Sequence, residues 1–573
     1  MSVLELFGAA RDLGRLQDIA GTLVRHGFGD LVGRLKLAGP LERAGRALRL
    51  AREGDFDPVA PPVRVRRALE ELGTTFVKLG QVLATRPDLL PPEWTEELGK
   101  LQEQVAPVPF EELNSVLDED WGEDWRTRFA SFDETPLAAG SVGQVHRATL
   151  ISGEQVVVKV RRPKIREAVR SDLRMMEKLA ELATSELPEL RRYRPTSMVR
   201  HLGRVLRDEL DFVQEARNTV RLAETMQGQE GVHLPRVFES FTSERLLVLE
   251  YMAGVSAARW IATSEPTDLD RKLLAERGCG ALLQMIFEHG CYHADPHPGN
   301  VLFLDPPTVR LADGAESPCM RDELALVDCG MVGHLSQARQ REFTDLLLYT
   351  QARDEPRVAG LLLSWSDDSD PPDEDLLATD VRAFLDRYHG ASLGEVEASQ
   401  MLGDVLDIVR DNGLVLPPDL LTLIRVFMLT ESMGRALDSE FDLTAALEPF
   451  VRAKAASRLN PIHRAALFSR EMAELTAELP KDLRLLIDRA KSGRLHLGLD
   501  MRRLDHVADQ LESSLNRLVV GLVTAALIVG TAIAMTVQGG PTLFGLPALG
   551  FLGFASSLML GFGLLISLWR SGR

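Results

Sequence analysis

The chain has 573 residues, of which 45% are hydrophobic and 26% are charged, so it can bury several cores and should form more than one domain. The formal net charge of -18 argues against a nucleic-acid-binding protein, because phosphate neutralisation needs an extended basic surface and this composition allows only local basic patches. The four cysteines form no C-x-x-C pair, so the sequence indicates neither disulfides nor structural zinc.

The N-terminal part of the sequence is predicted to be helical and to lie in the cytoplasm. The first twenty residues place charged and apolar residues at helical spacing and contain no apolar signal-peptide core. Residues 1–62 form a helical region that ends in the linker REGDFDPVAPP, where prolines and a glycine break any continuing helix. Residues 63–130 form a second helical extension, because apolar residues recur at helical intervals between Arg64 and Leu101.

A change of pattern near Phe132 predicts a small lobe of mixed structure over residues 131–255. The runs SVGQVHRATL and QVVVKVRRP indicate two strands, and HLPRVFESFTSERLLVLEYM supplies further strands. Between them, residues 164–227 return to the helical pattern. The fold class is therefore α+β, and two further segments follow the small lobe: a larger helical lobe over residues 256–443 and a helical juxtamembrane region over residues 444–517.

The C-terminal segment 518–569 contains no ionisable side chain, a length that a soluble surface helix has no reason to adopt. Two membrane-spanning helices fit it, at 518–537 and 546–569, with the helix-breaking turn QGGPTLFG between them. Arginines precede and follow the pair while the turn has no Lys or Arg, so both outer ends are predicted to face the cytoplasm. The alternative is a buried pair of hydrophobic helices in a large soluble core.

Lys159 is the first candidate for chemistry. The run Val156-Val157-Val158-Lys159 places it at the end of a buried strand, where an ammonium group needs a carboxylate or a phosphate. A lysine at a strand edge is otherwise more often a surface residue whose charged end reaches solvent. Lys159 by itself is therefore weak evidence for a phosphate site, and the motifs later in the sequence strengthen that interpretation. Phosphoryl chemistry needs such a lysine, a carboxylate that holds it, and acidic and amide ligands for magnesium.

Two later motifs supply these magnesium ligands. HADPHPGN at 293–300 places Asp295 and Asn300 five residues apart, which is the D-x-x-x-x-N spacing of a kinase catalytic loop, and the apolar strand VLFL follows it. A second apolar strand, residues 324–327, runs into Asp328-Cys329-Gly330, where an aspartate at a strand end can reach a magnesium ion. The sequence predicts Asp295 as the catalytic-loop carboxylate and Asn300 and Asp328 as magnesium ligands.

Other polar residues nearby are interpreted as structural. His293 and His297 lie four residues apart, as zinc ligands on a helix do, but the prolines at 296 and 298 forbid that helix. We therefore expect His293 to brace the loop rather than to bind metal. Asp313-Gly314 imitates a metal-binding dipeptide, but it lies in a polar insertion with no apolar strand after it, which makes it the weaker candidate.

Taken in this order, these residues resemble the UbiB/ADCK family of atypical kinase-like proteins over residues 63–443. Lys78-Leu79-Gly80-Gln81 matches the family's K-x-G-Q signature and is continued by the similar LATRPDLLP, on a helical extension that ordinary kinases lack. The resemblance implies that this extension covers the groove where a kinase would hold a protein substrate. The segment LVLPPDLLTLIRVFMLTESMGRALD, at 414–438, resembles the family's C-terminal helical region, for which lobe packing is the implied role.

Acidic residues between the predicted strands also match the family. Glu209-Leu210-Asp211 is similar to its E-x-D motif, and Glu215 in FVQEARN matches the helix glutamate that pairs with the strand lysine. On a helix, Asp211 and Glu215 would share one face. Without the resemblance, acidic residues on a helix would most simply form a solvated face.

The segment PLAAGSVGQ takes the place of a glycine-rich phosphate loop and is similar to the family's alanine-rich loop. Gly140 stands where the family has a third alanine, and we expect it to let the loop close more readily on nucleotide. Cys329 replaces the phenylalanine of D-F-G and should weaken the packing behind Asp328. The nucleotide-binding residues implied in this way are Ala138, Ala139, Gly140, Ser141, Val142, Lys159, Glu250 and Met252.

The resemblance implies a two-lobed protein-kinase-like fold with a K-x-G-Q extension and a C-terminal membrane hairpin, which binds ATP and Mg²⁺. Because the extension covers the substrate groove, protein phosphorylation is disfavoured. The implied catalytic residues are Asp295, Lys159 and Glu215, and the implied regulatory residues are Lys78, Gln81, Glu209 and Asp211.

Members of the family support the biosynthesis of ubiquinone or related isoprenoid quinones, by coupling ATP hydrolysis to the handling of lipid intermediates. The resemblance implies a protein of the bacterial inner membrane whose partners are membrane lipids or isoprenoid quinone intermediates, with other quinone-biosynthesis proteins as further candidates. Two alternatives stay open, a protein kinase that acts on membrane partners and a non-catalytic lipid-binding scaffold that nucleotide switches.

Overall fold

The structure is a computed structural model, and it describes nine continuous ranges of residues together with a few isolated positions between 525 and 559. The ranges are 10–35, 59–101, 106–263, 268–304, 308–310, 316–318, 323–365, 373–388 and 397–459. The chain divides into two compact units, Met1–His463 and Arg464–Arg573. The finer division into six segments stays a prediction.

Helices occupy the described part of the chain before the first strand. They are α1 (Ala10–Arg25), α2 (Gly29–Arg34), α3 (Pro61–Leu72), α4 (Thr74–Ala84), α5 (Pro92–Gly99) and α6 (Phe110–Trp121). Helices α3 and α5 begin with proline, whose fixed φ angle suits the first turn and whose missing N–H would have no partner there. The helical periodicity of residues 64–101 is thereby confirmed.

A five-stranded antiparallel sheet forms the small lobe. Its strands are β1 (Phe129–Phe132), β2 (Ala138–Ala139), β3 (Gly143–Leu150) and β4 (Gln155–Arg161), and, after a short β5 (Val232–His233) that pairs elsewhere, β6 (Leu246–Glu250). The order is β1-β3-β4-β6, and β2 pairs with β3. The two strands predicted from SVGQVHRATL and QVVVKVRRP are confirmed as β3 and β4.

Three helices connect β4 to β5, namely α7 (Ile165–Glu186), α8 (Pro195–Glu209) and α9 (Phe212–Thr225). The sequence predicted a helical pattern over residues 164–227 without placing its breaks. A 3-10 turn at Pro188–Tyr193 separates α7 from α8, because prolines begin both the turn and α8. Leu210 and Asp211 separate α8 from α9. These helices pack with α1 to α5 on one face of the small-lobe sheet.

The larger lobe contains short strands around its loops. They are β7 (Gly254–Ser256), β8 (Cys291–His293), β9 (Val301–Leu304), β10 (Thr308–Arg310), β11 (Glu316–Pro318), β12 (Leu324–Leu326) and β13 (Val332–His334). One sheet has the order β5-β12-β9-β7, β8 pairs with β13, and β10 pairs with β11. Strands β9 and β12 are antiparallel neighbours, as the two apolar runs allowed. Asp313, in the polar insertion, lies outside the described residues.

Helices make up the rest of the larger lobe. They are α10 (Ala257–Thr263), α11 (Asp268–Gln284), α12 (Gln337–Ala352), α13 (Glu355–Trp365), α14 (Glu374–Arg387), α15 (Ala398–Asp411), α16 (Pro418–Leu437) and α17 (Leu443–Leu459). A π-helical turn, Met285–His289, joins α11 to β8. Helix α16 buries eleven of its residues, so it runs through the middle of this core.

In the second unit, the described residues include an antiparallel pair of two-residue strands, β14 (Thr542–Leu543) and β15 (Leu546–Pro547). The second predicted span is therefore wrong at its first two residues, which pair as a strand instead of beginning a helix. Almost all of the spans 518–537 and 546–569 lies outside the described residues. Within the described residues, no helix is both long enough and apolar enough to cross a membrane. The hairpin stays a prediction.

Candidate functional site

Strand β4 places Lys159 on the opposite face of the sheet from three buried valines. Val156, Val158 and Val160 are each 0% exposed and pack in an aromatic cluster with α6 and β1. Because successive side chains of a strand point to opposite faces, Lys159 points with Val157 toward the face that α9 covers. Because side chains alternate along Val156 to Val160, Lys159 points toward α9. The valines on either side of it pack in the core and hold the strand in place.

The ammonium group of Lys159 is held by two carboxylates. Its Nζ donates hydrogen bonds to both oxygens of Glu215, at 2.9 Å to Oε1 and 2.8 Å to Oε2, and lies 3.5 Å from Asp328 Oδ1. Glu215 lies in the first turn of α9 and is 4% exposed, whereas the Asp328 side chain is 53% exposed. The structure thus brings together three of the predicted site residues, from the sheet, a helix and the larger lobe.

The protonation states of this cluster follow from burial and charge. Burial by itself would lower the pKa of Lys159, but the charges of Asp328 and Glu215 outweigh it and raise that pKa. Burial raises the pKa of Glu215 to about 7, against the attraction of Lys159. Lys159 lowers the pKa of Asp328 to about 2. Lys159 therefore stays charged between the two carboxylates, and burial makes Glu215 the more easily protonated of the pair.

Asp328 and Asn300 lie at the same edge of the β9–β12 pair. Asn300 immediately precedes β9 and Asp328 follows β12 by two residues, and the backbone N–H of Val327 donates to the Asn300 carbonyl at 2.9 Å. The Asn300 side-chain N–H donates to the Asp295 carbonyl at 3.2 Å, which leaves the amide oxygen available for a cation. Asp328 has a φ angle of 58°, an uncommon conformation for a residue with a side chain.

The loop from His293 to Asn300 is held by one buried imidazole. His293 is 0% exposed; its Nδ1 accepts from the Asp295 N–H at 3.2 Å, and its Nε2 lies 3.2 Å from the Val327 carbonyl. An N–H only donates and a carbonyl only accepts, so Nε2 carries the proton and the ring is neutral. Burial also lowers the pKa of His293. This geometry is that of a brace between the loop and the β12 edge.

Asp295 has a partner that the sequence analysis missed. Its Oδ1 accepts a hydrogen bond from Arg425 Nη2 at 3.0 Å, across 130 residues of chain. Arg425 lies in the middle of α16, between the buried Ile424 and Val426. A single arginine in the apolar run LLTLIRVFML was the available signal, because a cation in such a run needs a buried or cleft-lining anion.

Helix α9 also holds the Asp328-Cys329-Gly330 segment. One turn beyond Glu215, Asn218 donates from Nδ2 to the Cys329 carbonyl at 3.2 Å. Asp211 does not lie on α9, as the shared-face prediction required; it is the N-cap residue, and its carboxylate accepts from the Val213 N–H at 3.0 Å. That prediction was wrong because the chain breaks between α8 and α9.

The predicted K-x-G-Q residues lie on α4. Lys78 Nζ donates to Glu209 Oε1 at 3.0 Å, so it contacts the first residue of the predicted E-x-D motif. Gln81 donates from Nε2 to the Leu101 carbonyl at 3.2 Å. Lys78 also contributes to the lowered pKa of Asp328, after the larger effect of Lys159. The Lys78–Glu209 pair is thus close enough to the Lys159 cluster to act on its charges.

The predicted phosphate loop is the hairpin between β2 and β3. Ala138 and Ala139 form β2, while Ser141 and Val142 are buried. The Gly140 N–H donates to the Gly143 carbonyl at 2.9 Å, and Arg162 Nε donates to the Gly140 carbonyl at 2.9 Å. The arginine that immediately follows β4 therefore fixes the tip of this loop.

The remaining two predicted residues lie where β6 leaves the small lobe. Glu250 is the last residue of β6, opposite Val156, and its Oε2 accepts from the Arg236 N–H at 3.2 Å. Met252 is half-buried and follows two residues later. Glu250 ends the strand that flanks β4 on the side opposite β3, to which the alanine-rich loop belongs, and Met252 lies just beyond that strand.

The donor set fits a magnesium ion that is held partly by phosphate. Among the described residues, no group of three or more His, Cys, Asp and Glu side chains is arranged to hold a metal ion. The carboxylate of Asp328 and the amide of Asn300 are oxygen donors at one edge, and Mg²⁺ commonly takes one or two protein oxygens and completes its shell with water and phosphate.

Three family models match separate parts of this chain. The ABC1 atypical kinase-like domain matches residues 100–362, the UbiB helical domain matches residues 381–442, and the ABC1/UbiB kinase-like C-terminal domain matches residues 502–570. A Vibrio cholerae protein named probable protein kinase UbiB is 31% identical over 552 residues, which is 94% of this chain and 97% of that protein. An Aliivibrio fischeri protein of the same name is 32% identical over 435 residues, covering 75% and 77%.

This chain belongs to the UbiB family of atypical kinase-like proteins. The resemblance predicted from the motifs is confirmed, and so is the kinase-like α+β fold. A solved Mycobacterium tuberculosis protein, in complex with erythromycin, aligns with 64% of this chain and 90% of its own, at 21% identity and a TM-score of 0.42.

Proposed function

We propose that this UbiB-family chain is a membrane-anchored atypical kinase or ATPase that binds Mg-ATP and supports the biosynthesis of ubiquinone or a related isoprenoid quinone. The observation that carries the proposal is the Lys159–Glu215–Asp328 cluster, in which one ammonium group contacts two carboxylates from different parts of the fold. A lysine held in this way by two carboxylates is the arrangement with which kinase-like sites hold phosphate.

Each residue of the site then has a separate task. Lys159 holds phosphate oxygens, and Glu215 keeps its ammonium group aimed into the cleft. Asp328 and Asn300 would hold Mg²⁺, which supplies neutralisation of phosphate charge when bound. Asp295 is the catalytic-loop carboxylate, positioned by Arg425. The loop at Ala138 to Val142, with Glu250 and Met252, would contact the nucleotide.

The contacts of Asp295 and Lys78 favour water over a protein hydroxyl as the phosphate acceptor. In protein kinases the catalytic-loop aspartate accepts the proton of the substrate hydroxyl. Here the Asp295 carboxylate already accepts from Arg425, and Lys78 on the α4 extension is tied to Glu209. A protein substrate would have to displace contacts of this kind. The relatives' printed names contain "protein kinase", so transfer to a membrane partner is the second candidate, and a nucleotide-switched lipid scaffold is the third.

The apolar C-terminal segment supports a lipid-like client. A body anchored by the predicted hairpin in the bacterial inner membrane, with both termini cytoplasmic, meets isoprenoid quinone intermediates at the membrane surface. Hydrolysis in the cleft would then drive a change in how such a lipid is held. Other quinone-biosynthesis proteins are further candidate partners.

The test is an Asp328→Asn substitution, matched by Asp375→Asn in the first turn of α14. Because Asp328 is half-exposed, we expect the variant to fold normally and to lose ATP hydrolysis, while the Asp375 variant keeps it. Quinone and precursor profiles are then compared in a deletion strain complemented with each form. Normal turnover by purified Asp328→Asn would refute the site assignment, and normal quinone in the deletion strain would refute the pathway. Phosphate found on a partner protein would favour the kinase candidate, and ATP binding without turnover would favour the scaffold.

A further inference from the structure

A groove between α7 and α8 is separate from the residues of the proposed nucleotide site. It has a cavity volume of about 320 Å³ and is lined by one residue of α7 and five of α8. The lining residues are Glu177, Ser197, Arg200, Gly203, Arg204 and Arg207. Three of the six are arginines, in a chain whose net charge is -18. This arginine groove is therefore a local reversal of the overall charge.

The arginines form a single stripe. Arg200, Arg204 and Arg207 are spaced i, i+4 and i+7, which places them on one side of α8. The buried side of the helix is formed by other positions, including Leu202 and Leu206, each 0% exposed. At a rise of about 1.5 Å per residue, the stripe is about 10 Å long.

None of these three arginines forms an ion pair with a carboxylate of the described residues. All are exposed, and none makes a hydrogen bond or an ion pair with another residue that the structure describes. Some arginines of the same helical layer do have a carboxylate partner, as Arg15 has Asp172 and Arg86 has Asp88. Glu177 is the single carboxylate of the groove, so its formal charge is +2.

Gly203 forms the floor of the groove and packs against α7. Gly203 is buried, and a Cβ placed there would lie 3.7 Å from the nearest methyl of Leu173 on α7. The absence of a side chain at this position keeps the groove concave between the arginines. The guanidinium groups that line a concave site can each offer paired N–H donors to phosphate oxygens, and that of Arg207 lies over the floor, 3.5 Å from a Cβ placed on Gly203.

We infer that the arginine groove binds a phosphorylated anion, as a second phosphate site distinct from the one around Lys159. A stripe of about 10 Å is longer than one phosphate and suits two linked phosphates or a phosphate with an attached polar group. The ligand chemistry is therefore a diphosphate or a phosphorylated headgroup. Free diphosphate and a lipid phosphate share this chemistry, and the test separates them.

Binding is measured on the full-length protein in detergent, by titration calorimetry with inorganic pyrophosphate and with dihexanoyl phosphatidic acid, which stays monomeric in water. The groove variant is Arg200→Gln/Arg204→Gln/Arg207→Gln. The control is Arg126→Gln/Arg166→Gln/Arg382→Gln, which removes the same charge from exposed arginines outside the groove. Lys159 is intact in all three proteins, so phosphate bound at the nucleotide site contributes equally to each.

We expect the groove variant to bind at least about tenfold more weakly than the wild type, because each lost charged hydrogen bond weakens binding strongly, while the control variant binds as the wild type does. Wild-type binding should also fall as salt is raised. Loss of the pyrophosphate signal assigns a soluble diphosphate, and loss of the phosphatidic acid signal assigns a lipid phosphate. Equal binding by groove and control variants, or no binding by the wild type, overturns the inference.

A second substitution separates binding from folding. Glu177→Gln removes the carboxylate that repels an anion in the groove, and we expect binding to strengthen by about threefold. A folding defect would weaken binding and could not produce this gain. Weaker or unchanged binding by Glu177→Gln contradicts the groove as the site.

Discussion

The two faces of the small-lobe sheet carry different kinds of residue, and β4 contributes to both. One face buries Val156, Val158 and Val160 against the aromatic rings of α6 and β1, and it holds the strand in place. The other face carries Lys159 toward Glu215 on α9. Neighbouring positions on one strand thus serve packing and chemistry separately. Single substitutions along the strand can therefore test the two faces one at a time.

The largest expected effect is on the charged face. We expect Lys159→Met to lower ATP hydrolysis by at least about 100-fold, because no other described cation lies beside Glu215 to hold phosphate. Glu215 loses its partner, but its pKa is already raised to about 7, so it can be neutralised by a proton and the fold should persist. Turnover and thermal unfolding are measured together. Turnover within a few-fold of the wild type would contradict the role of Lys159.

At Val158, on the packing face of β4, we expect a loss of stability without a loss of turnover. Val158→Ala removes two methyl groups from a position that is 0% exposed, and we expect the free energy of unfolding to fall by about 2 kcal/mol. Turnover per folded molecule should not change, because the side chain faces away from the cleft. Denaturant unfolding gives the stability, and Ser131→Ala, at an exposed position of β1, is the control. A large loss of turnover would show that the two faces are not independent.

Sequence patterns found the local parts of this arrangement. The alternation in VVVKV and the apolar run VLFL gave β4 and β9, because a strand is recognised from its own residues. The spacing of Asp295 and Asn300 reflects a loop whose two ends are joined by the Asn300–Asp295 hydrogen bond. The Lys159–Glu215 contact, 56 residues apart, came only through the family resemblance.

Contacts between residues that are far apart in the sequence could not be predicted from local patterns. Arg425 reaches Asp295 across 130 residues, and Asn218 reaches Cys329 across 111, so no local spacing relates them. Asp211 was placed on a helix because the helical pattern of residues 164–227 does not show the break before α9. The arginine groove requires α7 and α8 to lie side by side, which hydrophobic spacing does not determine.

The packing face also contains a titratable group, which gives a pH test. His146 is 0% exposed, and its Nδ1 donates to the Asp133 carbonyl at 2.9 Å, while Nε2 is buried with no partner among the described residues. Protonation would bury a charged N–H, and burial accordingly lowers the pKa of His146. Below the ordinary histidine pKa of about 6.5, the unfolded state binds more protons than the folded state, so stability is lost as the pH falls.

We expect His146→Phe, which keeps an aromatic ring against Phe132, to reduce this pH dependence by up to about 1.4 kcal/mol per pH unit below pH 6.5. The free energy of unfolding is measured between pH 5 and pH 8 for both proteins. Other buried histidines contribute equally to the pH dependence of both proteins. Subtracting one stability curve from the other therefore gives the contribution of His146. Parallel curves would show that His146 is charged in the folded protein.

The smallest effect is expected at Gly140, in the loop between β2 and β3, and the nearby Gly143 provides a contrast. A Cβ on Gly140 would lie 3.7 Å from its nearest neighbour, whereas a Cβ on Gly143 would lie 2.7 Å from the Val160 carbonyl. We expect Gly143→Ala to lower stability by about 2 kcal/mol and Gly140→Ala to raise it by about 0.5 kcal/mol, through the unfolded chain. If Gly140 instead helps the loop to close on nucleotide, Gly140→Ala will weaken ATP binding without loss of stability. Calorimetric titration of ATP into both variants shows whether each glycine is needed for packing or for nucleotide binding. Unchanged ATP binding by Gly140→Ala would show that Gly140 plays no part in closing the loop on nucleotide.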